Sequence, residues 1–381
     1  MKQTILISFF TISTFALIDN GRSAAYPFIL KDFLLDPQSG SLIFTISALT
    51  ALLTSLLSKY WLPTLGVQGA LRHLLLSEFI GALLMGLSLP LNLGVFGLYL
   101  GSVLFGLGAG GATICMNLLI TENPEIKNKK NILSGIHSVY ALMSLLAPFF
   151  MNGILKVTQW YVYFLFAAIL PLFLSLGLFG LKSLREQNFK VERKHFKDCP
   201  LSLKFLFGGF LALNVVAEVC VSSRLVIYFV KAHNYEPQDA NMVLSLFFLC
   251  LFLTRFLGIV LFKNSNIKMI LFLSAFSSFI CLILGVFVDP IMLAIMAFPM
   301  GLVFPYTLTF ARESFPEYSG ALVASVLNTV SVLITLMHFL FGTVSKYFGI
   351  QAAITIPLIA SGLSFILFYF IIQKTNTKAQ T

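Results

Sequence analysis

Asp19, Arg22, Glu218 and Arg224 lie inside stretches otherwise built of Leu, Ile, Phe, Val and Ala. A carboxylate kept away from water with no cation beside it is held most cheaply by taking up a proton. A guanidinium supplies a fixed charge and five N–H donors for an anion. The chemistry these residue types can do is therefore the binding of protons and of small polar or charged solutes. Asp19 and Arg22 are three residues apart and can pair along one helix face. Glu218 and Arg224 are six apart, on different faces, so Glu218 has no partner on its own helix. That makes Glu218 the first candidate for a proton carrier, with Asp19 beside it. Arg224 lies near the outer end of its stretch, from where a long side chain can snorkel to the interface.

The elements that hold these residues are apolar runs of bilayer length. The chain of 381 residues is 58% hydrophobic and 10% charged, against about 25% charged in a soluble domain. Crossing a bilayer takes roughly 20 apolar residues. Such runs lie at about 5–30, 41–58, 73–89, 94–121, 131–155, 161–181, 203–230, 240–262, 269–288, 291–311, 320–344 and 352–372. The bilayer is the solvent, and a buried charge becomes the informative residue. Each charge facing lipid near the centre costs ~2.5–3.5 kcal/mol, so four cost about 10–14 kcal/mol. They must face protein or a wet cavity.

Charge gives orientation. With the N-terminus inside, only Lys31, Lys156, Lys231 and Lys346 fall on the far side, and Arg22, Arg224 and Arg255 sit within spans. Every other Lys and Arg is cytoplasmic, which places both termini inside a plasma (inner) membrane, multi-pass. The net charge of +10 is a topology signal and calls for no nucleic acid. Ser23-Ala24-Ala25 after an apolar run imitates a signal-peptide cleavage site, but cleavage there would remove the first span. The five cysteines (Cys115, Cys199, Cys220, Cys250 and Cys281) form no C-x-x-C pair, so no metal site, disulfide framework or cofactor is expected. Gly106-Leu-Gly108-Ala-Gly110-Gly111 matches G-x-G-x-x-G, but it lies within a span with no preceding strand. Close helix approach explains it better than a dinucleotide.

Six spans precede a basic stretch and six follow it. The expected division is an N-terminal six-helix bundle over 1–181, a cytoplasmic basic linker over 182–201, and a C-terminal six-helix bundle over 202–381. The halves echo one another. Asp19 precedes Lys31 by twelve residues, and Glu218 precedes Lys231 by thirteen. Both acids lie about 22 Å into their helix at 1.5 Å per residue. A six-plus-six chain with parallel repeats is the pattern of the major facilitator architecture, whose substrate site lies near the midplane between the halves.

Helical spacing marks polar faces. They carry Asp19, Asn20, Arg22, Ser23 and Tyr26 in the first span, and Thr113, Asn117 and Thr121 in the fourth. The fifth has Ser134, His137, Ala141, Ser144 and Pro148. The seventh has Asn214, Glu218 and Ser222, and the eleventh has Ser325, Asn328, Ser331, Thr335 and His338. The third, sixth, ninth and twelfth spans are more uniformly apolar and read as lipid-facing. The candidate substrate-binding set is Asn20, Arg22, Tyr26, Thr113, Asn117, His137, Tyr140, Asn214, Ser222, Arg224, Phe304 and Asn328. Tyr26, Tyr140, Phe304 and Tyr306 offer rings for stacking a sugar. Trp61 and Trp160 fall at span ends, where interfacial anchoring accounts for them. His338 lies close to the outer surface and receives no role.

Phe15-Ala-Leu-Ile-Asp19-Asn20-Gly21, with Pro27 and Phe33, resembles the first helix of the fucose:proton symporter branch of the major facilitator superfamily. Gly106-x-Gly108, Asn117, His137-Ser-Val-Tyr140 and Pro148 are similar to its fourth and fifth helices. Ala217-Glu218-Val219 with Tyr228, Thr254-Arg255-Phe256-Leu257-Gly258, and Gly301-Leu-Val-Phe304-Pro305 are similar to its seventh, eighth and tenth. The resemblance implies an all-α membrane protein of twelve transmembrane helices, arranged as two six-helix bundles related by pseudo-two-fold symmetry. It also implies proton-coupled import, with Asp19 at the family's coupling acid and Arg72 and Arg255 at gating positions. The family's second acid, in the fourth helix, is replaced here by Thr113. Its loop motif after the second helix is reduced to Ser58-Lys59-Tyr60 with Gly66 and Arg72. Glu218 is the candidate to take over the missing acid's role.

The expectation is a monomeric secondary active transporter, not an enzyme. It moves a small polar solute, a sugar or an organic anion or zwitterion, by alternating access with protons. Its partners are substrate, protons and membrane lipid. A proton-driven exporter of drugs or metabolites is the first alternative, and a transport-inactive receptor the second.

Overall fold

Helices follow from the sequence because a backbone in hydrocarbon must satisfy its own N–H and C=O groups. The computed structural model of the chain describes residues 2–123, 125–178, 199–261 and 265–380. The chain divides into two compact units, Met1–Glu192 and Arg193–Thr381.

The first unit holds α1 (Lys2–Asp32), α2 (Pro37–Leu56), α3 (Ser58–Leu87), α4 (Gly94–Thr121), α5 (Lys129–Leu155) and α6 (Tyr161–Gly177). The second holds α7 (Leu201–His233), α8 (Pro237–Leu261), α9 (Ile267–Phe287), three short helices α10 (Met292–Ile295), α11 (Ala297–Met300) and α12 (Val303–Ser314), then α13 (Ser319–Phe348), α14 (Ile350–Ala353) and α15 (Ile356–Gln380). Among the described residues, 11 helical segments are long and apolar enough to cross a membrane, and α6 is a shorter apolar helix of 17 residues.

Local chemistry sets several ends. Asp36 caps α2, its carboxylate accepting from the Gln38 and Ser39 amides, with Pro37 at the first helical position. Asn266 caps α9 in the same way. Asn234 closes α7 in the left-handed conformation at φ 55°.

Two stretches depart from the expected spans. The polar connection expected between the second and third spans is helical, and α3 begins at Ser58. Its kink is at Gly66 (φ 66°), where glycine accepts a backbone that other residues resist. Trp61 anchors this stretch by donating its indole N–H to the Thr54 carbonyl at 2.9 Å. The tenth span is broken into α10, α11 and α12. Pro299 and Pro305, which lack the amide hydrogen, fall in this stretch. The basic linker lies outside the described residues apart from 199–201, and with it Lys182, Arg185, Lys190, Arg193, Lys194 and Lys197.

Each unit packs to one plan. In the first, α1 lies against α5 and α6, α2 against α4, and α3 against α4 and α6. In the second, α7 lies against α13 and α15, α8 against α10 and α11, and α9 against α15. The chain-order echo is thus also an echo in packing, with α1 and α7 holding equivalent places.

The glycine run of α4 is a close-approach surface. A Cβ at Gly108 would lie 2.6 Å from the Leu74 carbonyl oxygen of α3, and one at Gly110 would lie 2.6 Å from the Ala51 backbone of α2. Backbone meets backbone on both sides, as small residues permit in membranes.

Candidate functional site

Arg22 of α1 is held by α2 and α4. Arg22 is 2% exposed. One of its terminal nitrogens pairs with the Asp19 carboxylate. The other donates to Ser47 Oγ at 2.7 Å and to the Ile43 carbonyl at 3.2 Å, both on α2. The guanidinium lies 4.5 Å from the ring centre of Phe105 and 5.0 Å from that of Phe44. A fixed guanidinium between two rings is attracted by their quadrupoles. Asp19 keeps 28% of its side chain exposed and is the accessible member of the pair.

In the second unit the carboxylate of the equivalent helix also meets a guanidinium. Arg255 Nη2 of α8 donates to Glu218 Oε1 of α7 at 3.0 Å, with the side chains 10% and 13% exposed. Glu218 has no partner on its own helix, as its spacing implied. The expectation that it stands without a cation is overturned, because the partner comes from the next helix. Arg255, expected to act at a gate, supplies it.

Arg224 does not snorkel. It is fully buried, with Nη2 3.3 Å from Nδ1 of His338 on α13 and its guanidinium 5.2 Å from the Phe341 ring centre. His338, expected near the outer surface and given no role, is 5% exposed.

The other candidates divide by what they touch. Asn20 is buried and donates to the Ala16 carbonyl and to Ser144 Oγ of α5 at 2.8 Å, so it joins α1 to α5. Tyr26 is buried, its hydroxyl 3.4 Å from Ser41 Oγ. Tyr140 stacks on Phe15, with centroids 5.7 Å apart. Thr113 turns its hydroxyl back to the Ala109 carbonyl of its own helix, and Asn117 is half-buried. Asn214 is buried and donates to the Phe210 carbonyl, and the Ser222 hydroxyl is directed at the Val219 carbonyl. His137 and Asn328 are exposed, and Phe304 is half-buried. Arg72 is half-buried at the α3 kink end, with Nη2 3.2 Å from His73 Nε2. The structure thus gathers Asp19 and Arg22 at one place, and Glu218 and Arg255 at another.

Three features escaped the sequence reading. The third span is not uniformly apolar, because Glu78 sits fully buried in α3, 2.6 Å from the Thr14 hydroxyl of α1. The rule that selected Asp19, an acid inside an apolar run, selects Glu78 as well. Trp160 is not an interfacial anchor. It is 1% exposed and donates its indole N–H to Asp32 Oδ2 at 2.7 Å, pinning the start of α6 to the end of α1. Ser47, which holds Arg22, is one serine among several in its span and carries no distinguishing signal.

Among the described residues no group of three or more His, Cys, Asp or Glu is placed to hold a metal ion.

Comparison with known structures finds the same fold at low identity. The E. coli fucose:proton symporter is 15% identical, with 96% of this chain and 98% of that chain covered and a TM-score of 0.61. A D-xylose–proton symporter is 12% identical, with 96% of each chain covered and a TM-score of 0.73. The nucleoside transporter NupG is 12% identical, with 97% and 99% covered and a TM-score of 0.72. A search of curated proteins finds no match. The family model described as Major Facilitator Superfamily matches residues 6–337, most of the chain. With that match, an all-helical multi-pass build and the shared fold, the chain belongs to the major facilitator superfamily of transporters.

Proposed function

We propose that this protein is a secondary active transporter. It moves a small polar solute, a sugar or an organic anion or zwitterion, by alternating access coupled to protons. The observation that carries the reading is the matched pair of ion pairs. Asp19 on α1 meets Arg22, and Glu218 on α7 meets Arg255, one carboxylate–guanidinium contact on the equivalent helix of each unit. A proton on either carboxylate removes the attraction that holds the pair. Protonation then frees a guanidinium for a solute carboxylate or hydroxyl, which is the linkage that coupled transport needs.

The energetics are adequate. One proton crossing ~100 mV and about one pH unit releases about 3.7 kcal/mol, which supports on the order of 500-fold accumulation. The fold neighbours support a polyhydroxylated solute, since they are named as fucose, D-xylose and nucleoside transporters. The amphoteric character of both sites supports organic anions and zwitterions equally. The bias of Lys and Arg supports both termini cytoplasmic, in a plasma (inner) membrane.

The test is a thermal-shift screen of the purified protein with sugars, nucleosides, amino acids and organic acids at two pH values. Uptake of the hit into proteoliposomes under an imposed proton gradient follows. Asp19→Asn and Glu218→Gln should each abolish gradient-driven accumulation while sparing exchange. Normal accumulation by both variants would sink the coupling assignment. Proton-driven efflux of the hit would establish an exporter, and absence of any movement of a tightly bound solute would establish a receptor.

A further inference from the structure

We propose that Glu78 is a proton-binding site inside the first unit. Its carboxyl is protonated and donates through Oε2 to Thr14, and loss of that proton parts α3 from α1. The inference is independent of the transport reading, which uses Asp19 and Glu218.

The hydrogen count carries it. Thr14 Oγ1 lies 2.6 Å from Glu78 Oε2 and 2.8 Å from the Thr11 carbonyl oxygen. Both are ordinary O–H···O distances. A hydroxyl owns one hydrogen. If Glu78 were ionised, two acceptor oxygens, Glu78 Oε2 and the Thr11 carbonyl, would compete for that single hydrogen, and one short contact would be lone pair against lone pair. A proton on Oε2 supplies the missing hydrogen. Glu78 then donates to Thr14, and Thr14 donates to the Thr11 carbonyl, in a chain whose members polarise one another.

The surroundings agree. Glu78 is fully buried, and its Oε1 has no hydrogen-bond partner. An orphaned oxygen on a neutral acid is tolerable, while an ionised carboxylate with one oxygen bare is far costlier. Among the described residues no cation pairs with it. The helices packed against α3 are α4, α6, α1 and α2. The first two offer only Tyr99, Cys115, Tyr161 and Tyr163 as titratable groups, and α2 offers none. On α1 the charged groups nearest Thr14 are Asp19 and Arg22. Arg22 is eight residues from Thr14, about 12 Å along the axis, and is occupied by Asp19, Ser47 and Ile43. On α3 itself Arg72 and His73 lie more than one turn away and meet each other. From the α4 side, the Gly108 backbone presses on Glu78, so that a Cβ there would lie 2.5 Å from Glu78 Cγ. The carboxyl is enclosed between α1 and α4.

The ligand is a proton, and the test reads it directly. Infrared spectra of the full-length protein in lipid would be compared between wild type and Glu78→Gln, whose amide keeps the shape and a donor for Thr14. At neutral pH the wild type should show a protonated-carboxyl C=O band that the variant lacks and that Asp19→Asn retains. The variant should melt close to wild type at neutral pH. Raising the pH should lower the wild-type midpoint more than the variant's, because only the wild type has this proton to lose. Thr14→Val should shift the same band by removing its acceptor. A band unchanged by Glu78→Gln would show Glu78 ionised and overturn the proposal. Parallel pH profiles for the two proteins would overturn the link to α1–α3 packing. Neither readout depends on transport, so failure here leaves the coupling assignment to its own test.

Discussion

Arg255 of α8 meets Glu218 of α7 at 3.0 Å, with both side chains almost out of contact with solvent. The pair ties the central helix of its unit to a neighbour, where Asp19 and Arg22 tie a helix to itself and leave Arg22 to reach α2. Removing one partner of a nearly buried pair strands the other charge. Arg255→Gln should therefore destabilise the protein by about 3 kcal/mol. Adding Glu218→Gln should recover much of that loss, because the stranded charge goes with it. Denaturant or thermal unfolding of the two single variants and the double variant in detergent measures the coupling.

Arg22 makes demands that a lysine cannot meet. It pairs with Asp19, donates to Ser47 and Ile43, and lies over the Phe105 and Phe44 rings at once. The planar fork does this with one rigid group, while an ammonium is a point charge. Arg22→Lys should cost ~1–2 kcal/mol in stability through lost hydrogen bonds. Ser47→Ala should cost less, roughly 1 kcal/mol, and should leave the Asp19 pair intact. Comparison of the two melting shifts separates the α2 contacts from the ion pair.

Asn20 poses a choice between helix clamp and solute ligand. Its amide reaches Ser144 of α5 at 2.8 Å. Interhelical hydrogen bonds in membranes average roughly 0.6 kcal/mol. Ser144→Ala should lower stability by about that much and leave the apparent affinity for any transported solute unchanged. A weakened affinity with unchanged stability would assign Asn20 to solute contact instead.

The sequence legibly specified helices, their order and the equivalence of α1 and α7, because bilayer length and positive-inside charge are properties of contiguous residues. It placed Asp19 against Arg22 because that pairing is local, three residues along one helix. It missed Arg255 beside Glu218 because the contact spans 37 residues and depends on the rotation of α8 about its axis. Arg224 looked able to snorkel because depth along a helix is readable and azimuth is not. His338, which meets it, comes from 114 residues away. Trp160 looked interfacial for the same reason, since nothing local says that Asp32 waits across the gap. Glu78 differs from these cases. Its residue type and its setting were both in view, and only the apolar count of its span obscured it.

The Trp160–Asp32 contact makes a separable prediction. The indole is buried and donates at 2.7 Å to a carboxylate at the last residue of α1. A hydrogen bond to a charged acceptor contributes ~1.5–3 kcal/mol. Trp160→Phe loses that bond and some packing, so it should destabilise by at least about 2 kcal/mol. Asp32→Asn keeps an acceptor oxygen and should cost less than Trp160→Phe, while Asp32→Leu should approach it. Melting curves of the three variants rank them. Equal melting of Asp32→Leu and wild type would mean that packing alone holds Trp160.

The glycine surface of α4 makes the last. A methyl group added at Gly108 or Gly110 would stand 2.6 Å from backbone atoms, Leu74 O on α3 and Ala51 on α2 respectively. Backbone cannot swing aside as a side-chain tip does, so the helices must separate. Gly110→Ala meets the Ala51 backbone of α2 and should cost ~1–3 kcal/mol as overpacking. Gly108→Ala meets Leu74 O and Glu78 Cγ together, at 2.6 and 2.5 Å, and should cost at least as much. Combining Gly108→Ala with Glu78→Ala relieves the side-chain clash but leaves the carbonyl, so recovery should be partial. Full recovery in that double variant would place the whole strain on Glu78 and none on the α3 backbone. Unfolding of the single and double variants under one set of conditions decides between them.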